Sequence, residues 1–192
     1  MLELLVVVLI MGVIAALAIP QAINAVKAYR LHSDAAAVAA QLNVTRFRAT
    51  SQNAPYRLNI VTSTTPHSFS MERLCGGTPG SVDSNCTSAY QPFSTPRVES
   101  GSLYLSTGDQ FTSSNPGGTV YPGTITGGSA STVFYFNTRG MPVNSSGNPL
   151  PNGGAVIYVT NNLNLTDAIA VSVGGQIRTY QWNPSTSAWM AR

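Results

Sequence analysis

Catalysis at neutral pH needs a nucleophile with its base, a set of metal ligands or paired carboxylates, and this chain is poor in all three. Its histidines, His32 and His67, are far apart in sequence and have no metal-ligand spacing with the two cysteines, Cys75 and Cys86. Seven Asp and Glu among 192 residues leave little for paired-carboxylate work. Neither a Gly-x-Ser-x-Gly elbow nor a phosphate-binding loop is present. His32 falls in a helical stretch, where a solvated face is its expected place. We therefore expect no enzyme activity, no metal and no cofactor. The chemistry left to the cysteines is to pair. Ten residues separate them, nearly all turn formers: Gly-Gly-Thr-Pro-Gly-Ser-Val-Asp-Ser-Asn. A Cys75–Cys86 disulfide closing that loop contributes about 2–3 kcal/mol on a loop-entropy basis, and it implies an oxidising compartment.

The cations are equally sparse. Lys27 and nine arginines form no run, and the net charge of +3 is dispersed, so charge alone does not make a nucleic-acid footprint. Arg139, Arg178 and Arg192 are the candidates for a small basic patch. Tyr180, Trp182 and Trp189 are candidates for a sugar-stacking surface, with core or edge packing as the commoner role. Four Asn-x-Ser/Thr sequons, at Asn43, Asn85, Asn144 and Asn164, are close to what chance yields in so Asn-, Ser- and Thr-rich a chain.

Charged residues make up 9% of the chain, against roughly 25% in an ordinary soluble domain. Hydrophobic content of 43% excludes disorder. Much of that apolar content is concentrated at one end. From Leu4 to Ile19 every residue is apolar or glycine, and no charge appears until Lys27. As a helix, Leu4–Val26 spans roughly 34 Å, enough for a bilayer core of about 30 Å. It is apolar all round up to Pro20, so it must be buried in lipid or among other helices. Glu3 is the lone charge before Lys27, costly at depth and cheaper near the headgroups. Pro20 removes one helical hydrogen bond and usually kinks a helix.

Beyond Pro20 the helix continues. Leu31, Ala35, Val38 and Leu42 share one face, Ala35–Ala40 favours helix, and Ser51-Gln52-Asn53-Ala54-Pro55 ends it. The period then changes to two. We expect strands at Tyr56–Thr62, Ser102–Leu105, Thr132–Phe136, Ala155–Val159, Ala168–Val173 and Gln176–Trp182, with a tight hairpin at Gly174-Gly175 and loops at Ser113–Gly118 and Asn144–Gly154. The resulting division is an apolar helix half over residues 1–26, an amphipathic half over 27–54 and a β-rich head over 55–192.

The stretch Met1-Leu2-Glu3 through Gly12 to Ala18-Ile19-Pro20 resembles the N-terminal helix of type IV pilins and type II secretion pseudopilins. In that superfamily a basic leader is removed by a prepilin peptidase, and the mature chain starts with an N-methylated Phe four residues before the Glu. This chain begins two residues before Glu3, so we expect the true start to lie upstream. A basic leader would also restore the positive-inside asymmetry that Lys27 and Arg30 alone violate. The head carries a narrower likeness. Leu42-Asn43-Val44-Thr45-Arg46, Asn53-Ala54-Pro55-Tyr56-Arg57-Leu58, Phe136-Asn137-Thr138-Arg139-Gly140-Met141-Pro142 and Ile169-Ala170-Val171-Ser172 followed by Gly175-Gln176-Ile177-Arg178 resemble motifs of the GspH/FimT pseudopilins, although Arg48 stands where that family prefers Glu.

The resemblance implies an α+β pilin-like fold, with one long N-terminal helix packed on a mainly antiparallel head. It implies a homo-oligomeric or mixed pilin filament, inner-membrane residence before assembly, a periplasmic or extracellular filament afterwards, and prepilin peptidase and pilus machinery as partners. Glu3, Gly12 and Pro20 become the assembly residues, with Glu3 pairing to a neighbour's N-terminal amine. Two alternatives follow: a DNA-binding minor pilin, in which Gln176 replaces the first Arg of a Gly-Arg-x-Arg motif and Arg178 keeps the second, or a membrane-anchored adhesin.

Overall fold

A computed structural model describes residues 2–74, 90–92, 102–118, 120, 133–150 and 153–192. Both cysteines lie outside the described residues, as does most of the stretch for which the sequence offers no family motif.

One helix, α1, runs from Leu2 to Ser51 without a break at Pro20. Fifty residues at 1.5 Å each make it about 75 Å long. It stops in a Schellman motif. Asn53 takes the left-handed conformation at φ 48°, the Ala54 N–H reaches the Ala49 carbonyl at 3.3 Å, and the Asn53 N–H reaches that of Thr50 at 3.4 Å. Pro55, with no N–H to donate, then starts the chain on its extended path.

The strands form two antiparallel sheets. The first has the order β3-β2-β1-β6-β7, with β4 also pairing β2. Its members are β1 (Tyr56–Val61), β2 (Ser68–Leu74), β3 (Tyr90–Pro92), β4 (Leu103–Tyr104), β6 (Val133–Phe136) and β7 (Pro142–Val143). The second has the order β11-β10-β9-β8-β5, made of β5 (Asp109–Thr112), β8 (Gly154–Asn161), β9 (Thr166–Ser172), β10 (Ile177–Asn183) and β11 (Ala188–Ala191). The architecture is the expected α+β one, a long N-terminal helix packed on antiparallel sheets. All six expected strands are present within a few residues of their expected ends; β2, β3, β5, β7 and β11 are additional.

The core lies where the helix meets both sheets. The helix contributes Leu31, Ala35, Val38, Leu42 and Ala49, all essentially inaccessible. This is the predicted stripe, extended by one more step at each of Thr45 and Ala49. Leu58, Phe69 and Phe136 meet it from the first sheet, and Ile157, Val159, Ile169 and Val171 from the second. The second sheet is covered on its other face too, where Val156, Tyr158, Ala168, Ala170 and Tyr180 pack with Val120 and Trp189. Coverage on both faces explains why Ala168–Val171 contains no polar residue.

On the outer side of the first sheet, Arg57 and Glu72 stand directly opposite across β1 and β2. They form an ion pair, and Asn59 donates to the same carboxylate at 3.0 Å. The Gly174-Gly175 hairpin is present with a three-residue loop. The Gly175 N–H closes a turn onto the Ser172 carbonyl at 2.8 Å, and Gly175 itself is left-handed at φ 79°.

Candidate functional site: the bare helix and its seam with the head

The first half of α1 stands exposed among the described residues. Its large apolar side chains between Leu4 and Val26 are 44–69% exposed, and none of its most apolar window is buried, at a mean hydropathy of 2.6. A Cβ on Gly12 would meet no atom within 4 Å. Glu3 sits in the first helical turn, where the positive end of the helix dipole favours a carboxylate. Glu3, Gly12 and Pro20 thus lie along one uncovered rod.

The second half is fastened to the head by charged side chains that the sequence did not mark as contacts. Arg46 makes the tightest junction. Its Nε donates to the Gly140 carbonyl at 3.1 Å, one terminal nitrogen to Gly175 at 2.8 Å and the other to Gly174 at 3.5 Å. The β6–β7 turn is shaped for this by Asn137, whose Oδ1 accepts the N–H groups of Arg139 and Met141, both at 3.0 Å. Both glycines are required. A Cβ on Gly175 would come within 2.9 Å of Arg46 Nε, and one on Gly140 within 2.8 Å of Thr50 Cγ2, at φ values of +79° and +71°. The family-like fragments around residues 46, 140 and 175 therefore meet at one point.

His32 corrects the expectation of a solvated face. Its Nδ1 is hydrogen-bonded with Asp167 Oδ2 at 2.6 Å, and Asp167 is only 2% exposed. Asp34 accepts the Ser106 N–H at 2.5 Å and its hydroxyl at 3.1 Å. Ser106 opens the turn that leads into β5, since the Asp109 N–H donates to the Ser106 carbonyl at 3.0 Å. Asp109 then faces back to the helix. Its carboxyl is pushed up to about 7, by burial first and by the neighbouring Asp34 next, with Arg30 opposing the rise and Asp167 adding a smaller increment. Asp167 is also pushed up by burial, against the hydrogen bond and charge of His32 and the charge of Arg192. Among the described residues, Asp109 Oδ2 and Asp167 Oδ1 are buried without a hydrogen-bond partner. No group of three His, Cys, Asp or Glu among them is placed to hold a metal ion.

The three arginines proposed for a patch do not share a face. Strand register sets Tyr180 opposite Ala191, and the Arg192 N–H donates to the Thr179 carbonyl at 3.1 Å. Side chains alternate along a strand, so Arg178 and Arg192 leave opposite sides of the sheet. Arg192 lies on the helix side, beside His32, Tyr29 and Ala36, with its guanidinium held by Gln181 Oε1 at 2.9 and 3.1 Å. Arg139 is exposed in the β6–β7 turn.

The aromatic trio packs rather than presenting a platform. Tyr180 is buried. Trp189 donates its indole N–H to the Gly117 carbonyl at 2.8 Å and tilts against Trp182 at 5.3 Å and Tyr158 at 5.7 Å between ring centroids.

The residues that sequence reasoning missed, Asp34, Asp109 and Asp167, had one available signal. In a chain so poor in charge, an acid set beside buried positions, as Asp34 is beside Ala35 and Asp167 beside Ala168, needs a partner.

No family model matches this chain, and no curated protein does. Among solved structures it is similar to the minor pseudopilin EpsH from the type 2 secretion system of Vibrio cholerae, at 7% identity and a TM-score of 0.48 over 78% of this chain and 95% of that one.

Proposed function

We propose that this chain is a structural subunit of a type IV pilus-like filament, a pilin or pseudopilin. The observation that carries the reading is the bare helix half, Leu4–Val26, continuous with a spine whose inner face is buried against the head. So much contiguous apolar surface is tolerated only in lipid or against other helices, and a filament subunit uses the two in turn. The spine supports the same reading. Between Leu31 and Thr45 its only charged or titratable side chains, His32 and Asp34, are turned to the head, so the outward side there is uncharged and suited to face neighbouring helices. The narrower reading, a GspH/FimT-like subunit, is supported by the meeting of its motif fragments at Arg46.

In this proposal prepilin peptidase and the assembly machinery handle the precursor in the inner membrane. Glu3 then pairs with a neighbour's N-terminal amine once lipid contacts are exchanged for helix contacts. A buried charge left unpaired costs several kcal/mol, so a subunit without Glu3 leaves the neighbour's amine uncompensated. Glu3→Ala and Glu3→Lys are expected to stay in the membrane fraction at wild-type levels while electron microscopy finds no filaments. Normal filaments from either variant would overturn the assignment.

A further inference from the structure

We propose that the seam between α1 and the head is a proton-operated latch, closed in acid and loosened in alkali, formed by Asp34 on the helix and Asp109 on β5.

The geometry leaves few other roles for these groups. Asp34 already spends both oxygens on Ser106. Asp109, three residues on from Ser106, is buried at 7% exposure with Asp34 as its neighbouring carboxylate, while its Oδ2 is without a partner among the described residues. Two carboxyls so placed are satisfied together when one of them holds a proton; when both are ionised they repel across the seam. Ser106 and Asp109 belong to one turn, closed by the Asp109 N–H on the Ser106 carbonyl. Repulsion at Asp109 therefore pushes on the same turn that Asp34 holds.

The charged groups facing Asp109 are Arg30 and Asp34 from the helix and Asp167 from β9. Those facing Asp167 are His32 from the helix and Arg192 from the end of the chain. Arg30 and Arg192 keep their charge throughout and moderate the repulsion without reversing it.

The direction follows from linkage. A carboxyl whose folded pKa is raised stabilises the closed seam fully below its unfolded value of about 4 and loses that stabilisation as pH rises to the folded value. Asp109 places the upper end of the window at about 7. Within the window one linked proton changes the opening equilibrium by roughly tenfold per pH unit.

The test is hydrogen–deuterium exchange of the full chain in detergent micelles, corrected for intrinsic rates, over peptides covering residues 31–45 and 103–112. Protection is expected to fall by roughly tenfold per pH unit from pH 5.5 to 7 and then to level off, while peptides from β1 stay constant. Asp109→Asn, and separately Asp34→Asn, are expected to hold the acid-level protection across the whole range. Carboxyl carbon NMR of wild type gives an independent reading, with Asp109 expected to titrate near neutrality. Exchange that is flat with pH, dependence retained in both Asn variants, or an Asp109 carbonyl signal titrating near 4 would each overturn the latch.

Discussion

Gly175→Ala is expected to lower the melting temperature of the head by roughly 6–12 °C, an effect out of proportion to one methyl group. Gly175 sits at φ 79°, where an L-residue costs about 1–2 kcal/mol. The added carbon would also lie 2.9 Å from Arg46 Nε and 3.0 Å from the Gly140 carbonyl oxygen, so the guanidinium must move. It then gives up charge-assisted hydrogen bonds to two loops at once, each worth about 1.5 kcal/mol or more. With about half of that hydrogen-bond energy recovered through water, a total near 3 kcal/mol corresponds to the stated shift in a chain of this size. Arg46→Ala is expected to cost a similar amount, and Arg46→Lys to recover little of it, because one ammonium cannot reproduce the planar fork that serves both turns. The decisive measurement is the double variant. If the two residues act as one clamp, Arg46→Ala with Gly175→Ala melts well above the temperature that adding the single losses would give. Strict additivity would show that the contact carries no energy.

The second large effect is a contrast along a single helix. Leu42→Ala is expected to destabilise the head by about 2–5 kcal/mol, since Leu42 is fully inaccessible and its neighbours belong to both sheets. Leu9→Ala, the same chemical change in the bare half, is expected to alter head unfolding by less than about 0.5 kcal/mol. Chemical denaturation followed by tryptophan fluorescence reads both, because Trp182 and Trp189 report on the head alone. A Leu9→Ala loss comparable to that of Leu42→Ala would mean that the two halves unfold as one unit.

Much of this division is legible in the amino-acid order. The spacing Leu31, Ala35, Val38, Leu42 reads as one face because helical period survives any tertiary context, and Asn53-Ala54-Pro55 reads as a stop because the left-handed cap and the missing proline N–H are local chemistry. Strands with strong alternation, such as Tyr56–Val61, are equally local. β2 alternates as well, in Ser68-Phe69-Ser70-Met71, but its small polar partners hid a strand whose outer side is also buried. β5 offers one large apolar residue, Phe111, in four, too few for a period to appear. The seam could not be read for a different reason. His32 and Asp167 lie 135 positions apart, and the partners of Arg46 are backbone carbonyls, which carry no sequence identity. The expected patch of Arg139, Arg178 and Arg192 is divided by parity: Arg192 aligns with Thr179, one residue from Arg178, and so leaves the other face of the sheet.

The helix that ends in this seam is also a mechanical element. From Glu3 to Arg46 it runs about 65 Å as a single rod, so a pull along its axis reaches the head undivided. There it meets the contacts of His32, Asp34 and Arg46, spaced along the same axis and joined to different loops and strands. Such contacts are loaded together, in shear, and none can be peeled open ahead of the next. A head seated this way is easier to dislodge sideways than to strip from its spine by tension.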